Sequence, residues 1–205
     1  MRPATHIVGI TGGIGSGKSY VCQIMQSRFG IPIYDSDAEA KRLNNESPLI
    51  RQALTQLVGT HVYDDKGKLQ RNILAQYLFA NEENASRINA IVHPVVKEDF
   101  KNWVLQQSHA GRPIVALESA ILFESGFDRL VHHTINVSAP HELCLQRAMQ
   151  RDNAPRQAIE ARMERQMDDQ QRQLKAHYTI INDGRDVETQ LQRILKDIEE
   201  NNINK

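Results

Sequence analysis

Cysteine is scarce in this sequence, and the two cysteines, Cys22 and Cys144, lie far apart along the chain. Two distant cysteines provide neither the paired spacing of a zinc site nor the density of a disulfide-stabilised secreted domain. We therefore expect buried, reduced thiols and a cytoplasmic location. Long apolar runs are also missing, since no stretch approaches the roughly 20 residues that cross a bilayer. The amino-terminal residues lack the apolar core and the cleavage site of a signal peptide.

An excess of either charge is missing as well, because 25 basic residues balance 25 acidic ones among the 205 residues. Binding to nucleic acid or to an anionic membrane usually depends on a basic excess, so we predict neither partner. An anionic ligand would have to be held by a local arrangement of donors. The length suits one domain with a small insertion, and we expect a monomer or a weak homo-oligomer.

Short apolar segments rich in isoleucine and valine alternate with helical patterns along the chain. Such segments are typical of strands that are buried on both faces of a parallel sheet. The alternation predicts an α/β fold of the P-loop NTPase type, with a five-stranded parallel sheet flanked by helices. The predicted strands are residues 6–10, 31–34, 113–117, 133–137 and 178–181.

Two stretches depart from the alternation and suggest how the single domain is organised. Residues 47–110 carry helical patterns without a strong strand, which predicts a helical insertion. Within it, Ser47 is placed to cap one helix, and Pro94 suits the first turn of another. Residues 146–175 are rich in arginine and glutamine and poor in large apolar side chains, which favours an exposed helical lid over core. The remaining core comprises residues 1–46, 111–145 and 176–205.

Glycine is concentrated in one segment, VGITGGIGSGKSYV at residues 8–21. Residues 12–19 satisfy the pattern G-x-x-x-x-G-K-[ST], between a predicted strand and an amphipathic helix, as in a phosphate-binding loop. Glycines let successive backbone N–H groups curl around an anion, and the following helix directs its positive dipole end to the same place. Lys18 can reach the β- and γ-phosphates of a nucleoside triphosphate, and the Ser19 hydroxyl can ligate Mg²⁺. The predicted cofactors are therefore ATP and Mg²⁺, held by Gly13, Ile14, Gly15, Ser16, Gly17, Lys18 and Ser19.

Carboxylates follow two of the predicted strands and therefore belong to the carboxyl edge of the sheet, where ligands collect in open α/β folds. Asp35 follows the second strand, where it can accept a proton from an attacking hydroxyl, or can cap the next helix instead. Asp37 is interpreted as a carboxylate of that helix's first turn. Glu118 ends the third strand and is a candidate Mg²⁺ residue, with a solvated surface acid as the alternative. Glu124 is expected to lie in a helix, and for this residue a solvated surface acid is the favoured interpretation.

Arginines of the predicted lid are the third feature that suggests phosphoryl transfer. Arg147 and Arg151 are four residues apart and share a helix face. A lid that carries arginines can close on the phosphates, stabilise charge in the transition state and exclude water. Taken singly, each of these arginines is also compatible with a solvated helix, and only the cluster favours a role. Its members are Arg147, Arg151, Arg156, Arg162 and Arg165.

An ordered set of motifs along nearly the whole chain resembles the dephospho-coenzyme A kinase family. The glycine-rich loop alone would be unspecific, whereas the ordered set is specific. The segments that carry the resemblance are GITGGIGSGKS (9–19), DSD (35–37), LQRNIL (69–74), HP (93–94), ILFE (121–124), LQRAMQR (145–151), Gln166 and IINDG (180–184).

The resemblance implies a reaction in which ATP phosphorylates the ribose 3′-hydroxyl of dephospho-CoA, the last step of CoA synthesis. It implies that Asp35 is the base or orienting group for that hydroxyl. Arg71 and His93 would lie in the CoA-binding insertion. Arg147 and Arg151 would face the phosphates, and Asn182 and Gly184 would lie near the adenine. The implied catalytic residues are Asp35, Lys18 and Arg147, with Ser19 and Glu118 at the metal.

The sequence departs from the family pattern at five positions, one of which is Ser36 in place of a small alanine. Tyr20 stands where threonine is usual; it belongs to the predicted nucleotide-binding segment but lies outside the residues that cradle the phosphates. Glu118 replaces an aspartate, and Ala120 replaces a proline. His177 stands where aspartate is frequent, and we assign it no role.

Two other functions remain as alternatives at this stage. A nucleoside or nucleoside-monophosphate kinase would share the loop, the lid and the sheet. A regulatory P-loop switch ranks lower, because the segment INDGRD at 181–186 lacks the Asn-Lys-x-Asp pattern of guanine-specific switches.

Overall fold

A computed structural model describes residues 5–203 of the chain, with side chains to residue 200. The ends of the predicted core, at residues 1–4 and 204–205, lie outside the described residues. The chain forms two compact units, one comprising Met1–Asp35 with Gln106–Lys205 and the other Ser36–Leu105. The sequence placed the insertion at residues 47–110, so the second unit begins eleven residues earlier and ends five residues earlier than expected.

The first unit contains a five-stranded sheet in which every pair of neighbouring strands is parallel, in the order β2-β3-β1-β4-β5. This confirms the predicted sheet. The second strand begins two residues later than predicted and includes Asp35, and the third ends at Glu118. The strands are β1 (His6–Thr11), β2 (Ile33–Asp35), β3 (Ile114–Glu118), β4 (His133–Ser138) and β5 (Tyr178–Ile181).

Nine α-helices and two short 3-10 helices (Thr60–Val62 and Asp128–Leu130) complete the described part of the chain. The α-helices are α1 (Lys18–Phe29), α2 (Ser36–Glu46), α3 (Pro48–Val58), α4 (Arg71–Ala80), α5 (Glu82–His109), α6 (His141–Asp152), α7 (Arg156–Met163), α8 (Asp169–Lys175) and α9 (Val187–Ile203).

The core of the first unit lies between the sheet and the helices α1 and α9. Both helices bury the apolar positions that their periodicity predicts, because residues three and four apart share one face. Removing these side chains from water is the main favourable contribution to the stability of the unit. The fully buried members include Val8, Ile10, Val21, Met25, Ile135, Ile180, Leu191 and Ile198.

The second unit is mainly helical, and residues 63–70 form a non-helical connection with one isolated antiparallel bridge between Tyr63 and Leu69. Ser47 caps α3 as expected, and its hydroxyl accepts a hydrogen bond from the Ile50 N–H at 3.4 Å. Arg42 of α2 forms ion pairs with three carboxylates, two on its own helix and Asp99 on α5.

The expectation that Pro94 begins a helix was wrong, because Pro94 lies inside the 28-residue helix α5. Proline has no N–H and so cannot donate to the carbonyl four residues earlier, which costs about 3 kcal/mol in a helix interior. A buried apolar face formed by Ile88, Val92, Val96 and Phe100 continues through the proline at a spacing of four residues. Its burial on both sides outweighs the missing hydrogen bond.

Candidate active site

The glycine-rich loop connects the carboxyl end of β1 to the first residue of α1, as the sequence predicted. Three of its glycines adopt positive φ angles, 154° at Gly12, 76° at Gly15 and 95° at Gly17. A Cβ atom on Gly15 would lie 2.0 Å from the Cys144 carbonyl oxygen, and one on Gly17 would lie 2.1 Å from Asn182 Nδ2. The loop therefore needs glycine at both positions for its conformation and for the close approach of its neighbours.

Lys18 and Ser19 begin α1, so they follow directly on the curled backbone. The Lys18 ammonium donates a hydrogen bond to the Gly12 carbonyl at 2.8 Å, which joins the end of the loop to its start. The N–H groups of the first helical turn have no partner within the helix and point towards the same loop. This combination of backbone N–H groups, a helix dipole and an ammonium suits a phosphate chain.

Two carboxylates lie side by side at the carboxyl edge of the sheet. Asp35 and Glu118 are paired in the parallel register of β2 and β3. Glu118 Oε1 accepts a hydrogen bond from the Ser19 hydroxyl at 3.0 Å, which links the strand to the phosphate-binding loop. The structure thus brings the predicted loop, the candidate proton acceptor and the candidate metal residue to one edge of the sheet.

Cys22 is buried on α1, one turn after Lys18, and the pKa of its thiol responds to the charges of Glu118, Lys18 and Asp35. Burial raises the pKa of its thiol well above the usual range, and the charge of Glu118 and a hydrogen bond to that carboxylate raise it further. Lys18 acts in the opposite direction on this pKa, and Asp35 raises it. The thiol therefore stays protonated, as the sequence predicted for a buried cysteine, and it lies within range of three charged groups of the site.

The residues at this edge fit a magnesium ion that is shared with phosphates. No group of three or more histidine, cysteine or acidic residues within the described part of the chain is placed to hold a metal. Mg²⁺, however, is usually bound by one or two protein oxygens together with substrate phosphates and water. The Ser19 hydroxyl and the Glu118 carboxylate already contact each other at 3.0 Å and are donors of the kind that Mg²⁺ prefers.

Residues 146–175 are helical and largely exposed, as the sequence suggested, but they also contribute to a small apolar cluster. Helices α6 and α7 enclose a small apolar cluster in which Leu145, Ala148 and Ile159 are at most 1 % exposed. Ile14, in the phosphate-binding loop, packs against the same cluster. The sequence pattern did not show this cluster because it needs only a few apolar residues.

The predicted lid arginines divide into two groups. Arg147 Nη1 donates to the Asn182 carbonyl at 3.0 Å, close to Gly17 of the loop. The other four are exposed, and three of them form ion pairs with carboxylates of their own or the adjacent helix. Arg151 and Arg162 both bind Asp152, and Arg156 binds Glu142 and Glu160.

Asn182 supports the loop from the end of β5. It is buried, and its amide donates to the Ser16 carbonyl of the loop at 2.8 Å. The hydrogen bonds of Asn182 thus connect Arg147, the end of β5 and the phosphate-binding loop. Gly184 follows two residues later in an exposed turn with a φ of 106°.

Three further residues connect the lid to the site, and the sequence analysis assigned none of them a role. Gln166 Oε1 accepts a hydrogen bond from the Ile14 N–H at 2.9 Å. Arg172 is only 4 % exposed, and Asp169 accepts hydrogen bonds from the side chains of Asn136 and Ser138 on β4. Burial opposes but does not outweigh these hydrogen bonds, and the pKa of Asp169 is lowered. The spacing of three between Asp169 and Arg172 was the only signal available in the sequence.

Glu124 lies in a turn, so the expected helix at this position was wrong. It is not simply a solvated acid, because its carboxylate accepts a hydrogen bond from the Met167 N–H at 3.1 Å. That contact fixes the backbone between α7 and α8, next to Gln166.

A cavity of about 610 Å³ lies between the loop and these lid residues. Backbone and side chains from both sides line it, and this size is within the range of small-molecule sites. The lining residues include Gly13, Ile14, Gln166, Asp169 and Arg172.

The remaining predicted residues lie in the helical unit or at the surface. Arg71 is exposed at the first position of α4, and His93 is half-buried within α5. Burial lowers the pKa of His93, and the nearby Lys97 charge lowers it further. Tyr20 is 53 % exposed on α1, directly after the loop.

A five-stranded parallel sheet with a glycine-rich loop, a lysine and a serine after its central strand defines a P-loop nucleotide-binding protein. The model of the dephospho-CoA kinase family matches residues 6–188. The chain belongs to that family.

Individual relatives and solved structures agree with this assignment. A dephospho-CoA kinase of Bacteroides fragilis is 46% identical over 178 residues, which are 86% of this chain and 84% of the relative. The crystal structure of TT1252 from Thermus thermophilus superimposes with a TM-score of 0.80 at 33% identity, over 98% of each chain. A dephospho-CoA kinase from Campylobacter jejuni gives a TM-score of 0.70 at 24% identity, over 97% of this chain and 99% of the other, and supports the fold.

No helix in the described part of the chain is both long enough and apolar enough to cross a membrane.

Proposed function

We propose that this chain transfers the γ-phosphoryl group of ATP to the ribose 3′-hydroxyl of dephospho-CoA, which yields CoA and ADP. The family match over residues 6–188 is the observation that carries the proposal for the acceptor. The phosphate-binding loop, with Lys18 and Ser19, supports the proposal that ATP is the phosphoryl donor. The acceptor is a small molecule, and we propose that the enzyme acts as a monomer or a weak homo-oligomer without nucleic acid or a membrane.

The donor phosphates bind along the backbone N–H groups of residues 13–19, and Lys18 moves from the Gly12 carbonyl to the β- and γ-phosphates. Ser19 and Glu118 would hold Mg²⁺, which would neutralise charge on those phosphates. Asn182 keeps the loop curled through its hydrogen bond to Ser16. Once the nucleotide is bound, these groups are in place before phosphoryl transfer, so little further reorganisation is needed as charge develops.

Asp35 orients the acceptor hydroxyl and accepts its proton. The hydroxyl oxygen forms a bond to the γ-phosphorus while the bond from that phosphorus to the β–γ bridging oxygen breaks. The electron pair of the broken bond stays on ADP, and the proton of the hydroxyl passes to the Asp35 carboxylate. The exposed position of Asp35 at the edge of the sheet supports this role.

Outside the reacting groups, other residues contribute to binding. We assign Arg71 and His93 to the CoA portion of the acceptor, and Arg147 with Arg151 to the phosphates. Asn182 and Gly184 lie beside the adenine, and Tyr20 adjoins the α-phosphate end of the loop. The hydrogen bond from Arg147 to the Asn182 carbonyl supports the placement of these two residues on one ligand.

A transfer assay with several acceptors tests the function. Purified protein is incubated with ATP and Mg²⁺ and with dephospho-CoA, AMP, CMP or adenosine, and ADP formation is measured. We expect dephospho-CoA to be preferred by at least about 100-fold in kcat/KM, a difference of roughly 2.7 kcal/mol. A preference for a nucleoside or nucleotide would refute the acceptor, and ATP hydrolysis that ignores every acceptor would indicate a switch.

The Lys18→Ala variant is the control for the donor site. Without the ammonium, transfer should fall by at least about 10³-fold, because charge on the γ-phosphate is no longer neutralised. Transfer close to that of the unmodified protein would contradict the whole assignment of the loop.

A further inference from the structure

We propose that Arg172, on the short lid helix α8, is a catalytic residue that binds the γ-phosphate of ATP and stabilises it during transfer. This inference rests on the proposed function, since it assumes a triphosphate in the loop. None of the arginines selected from the sequence occupies this position.

Arg172 is a buried charge with unused hydrogen-bond donors. Its side chain is 5 % exposed, and its Nε–H has no hydrogen-bond partner among the described residues. An arginine side chain has five N–H donors, and burying them unpaired is costly. Because the guanidinium lines a cavity, a ligand with several acceptor oxygens would satisfy the donors. A phosphate group provides such oxygens in a geometry that matches the planar guanidinium.

Asp169 and Met167 hold the guanidinium in place from one side. Arg172 Nη1 donates to the Met167 carbonyl, and Nη2 contacts Asp169 Oδ1 at 3.4 Å. Asp169 is itself fixed by Ser138, whose hydroxyl donates to Oδ2 at 2.6 Å. Gln173 donates to the same carboxylate oxygen at 2.8 Å. Arg172 is thus positioned from the carboxyl end of β4 before any ligand binds.

The guanidinium points at the start of the phosphate-binding loop. A Cβ atom built on Gly13 would lie 2.8 Å from Arg172 Nη2. The neighbouring Ile14 N–H donates to Gln166 at 2.9 Å, so a loop amide, Gln166 and Arg172 converge on one wall of the cavity. The γ-phosphate is the outermost phosphate of a bound triphosphate, and it is the group that the end of this arginine would meet.

The exposed lid arginines are poorer candidates for this task. Arg151, Arg156 and Arg162 already bind carboxylates, and their side chains are at least 50 % exposed. A charge that is screened by water and neutralised by a neighbour stabilises a transition state less than a buried charge does. Arg172 lines the cavity with only 4 % of its surface exposed, so water screens its charge less than it screens the exposed arginines.

The test compares binding of ATP and ADP with turnover in Arg172→Met. ATP and ADP affinities are measured by calorimetry without acceptor, so the result does not depend on which acceptor the enzyme uses. We expect kcat to fall by about 10²–10³-fold. ATP binding should weaken by about tenfold, whereas ADP binding should change by less than about threefold. Lys175→Met, an exposed change on the same helix, should leave all three quantities unaltered.

Two outcomes would overturn the proposal. One is turnover of Arg172→Met within about threefold of the unmodified protein. The other is a parallel loss of ATP and ADP affinity, which a merely structural role in the lid would produce. If the wild-type protein transfers phosphate to none of the acceptors, the proposed function fails, but a selective loss of ATP binding in the variant still supports Arg172 as a γ-phosphate contact.

A second measurement applies if Arg172→Met does not fold. The protein is labelled with ¹⁵N-arginine, and the Nε–H signal of Arg172 is assigned by its absence in Arg172→Lys. We expect this signal to shift on addition of a non-hydrolysable ATP analogue, and much less on addition of ADP. Equal responses to the two ligands would refute a γ-phosphate contact. Arg172→Lys, which keeps the charge but loses the planar fork, should retain turnover between that of Arg172→Met and that of the wild type.

Discussion

The Gln166 side-chain oxygen accepts a hydrogen bond from the Ile14 backbone N–H at 2.9 Å, although the two residues are 152 positions apart in sequence. Ile14 belongs to the phosphate-binding loop, and Gln166 belongs to the segment between α7 and α8. The contact occupies an N–H group that the loop would otherwise present to a phosphate oxygen. Binding of a nucleotide in the proposed manner therefore replaces a contact within the protein by a contact to the ligand.

Replacing Gln166 by alanine should tighten nucleotide binding. In the variant the Ile14 N–H no longer has to break its hydrogen bond to Gln166 before it can bind a phosphate oxygen. A hydrogen bond of this kind contributes about 1 kcal/mol net. We expect the dissociation constants of ADP and ATP to fall by up to about fivefold, measured by calorimetry. Gln171→Ala, an exposed change on α8, is the control. Weaker binding in Gln166→Ala would indicate that the amide contacts the nucleotide directly.

Asp35→Asn should reduce turnover and leave ATP binding nearly unchanged. The amide keeps the size of the side chain but cannot take the proton of the acceptor hydroxyl, and such a proton transfer contributes about 10²–10⁴-fold to rate. The measurement is steady-state kinetics together with the dissociation constant of ATP. Asp37→Asn, two residues later in the first turn of α2, is the matched control. Turnover near the wild-type value would show that Asp35 serves the fold instead.

The sequence predicted the sheet well because its strands are buried on both faces and therefore read as short apolar runs. The sequence also predicted the phosphate-binding loop and two carboxylates at the edge of the sheet, namely residues 12–19, Asp35 and Glu118. Their chemistry follows from a local motif or from the end of a strand, and both can be recognised in the sequence. The roles of Asp35 and Arg147 remain predictions that their variants must test.

The features that the sequence did not reveal are the burial of Arg172 and the continuation of α5 through Pro94, and both depend on contacts between distant segments. Arg172 reads as one more arginine on a polar helix, and only the fold buries it against the loop and against Asp169. The continuation of α5 through Pro94 was missed for the same reason, since a local rule for proline cannot register the buried face on both sides of it.

Glu118→Gln should raise the Mg²⁺ concentration that half-maximal turnover requires. The Glu118 carboxylate accepts from Ser19, and a group that orients or supports a metal ligand typically contributes 10- to 100-fold to affinity, so we expect an increase of about tenfold. Turnover is measured over a Mg²⁺ titration at saturating ATP. Glu188→Gln, an exposed change on α9, should leave the titration unaltered. An unchanged titration in Glu118→Gln would remove this residue from the metal site.

The pH dependence of stability should report on His6, at the start of β1 and at the opposite edge of the sheet from the active site. Burial lowers the pKa of His6 from its model-compound value of 6.5, and the neighbouring His132, whose ring centroid is 5.5 Å away, lowers it further. The unfolded chain consequently binds a proton at a pH where folded His6 remains neutral. The free energy of unfolding must therefore decrease as the pH falls through 6.5 towards the folded pKa, and it must increase as the pH rises again.

His6→Phe isolates this contribution, because phenylalanine keeps a ring beside His132 but cannot be protonated. We expect urea unfolding between pH 5 and pH 8 to show a smaller loss of stability at low pH in the variant than in the wild-type protein. His61→Phe, at an exposed histidine of the helical unit, should retain the wild-type pH dependence. If the free energy of unfolding depends on pH in the same way in His6→Phe and in the wild type, other groups cause the loss of stability at low pH. Because His6 lies at the amino edge of β1, neither variant should alter the affinity for ATP at pH 8, which separates this effect on folding from any effect on the phosphate-binding loop.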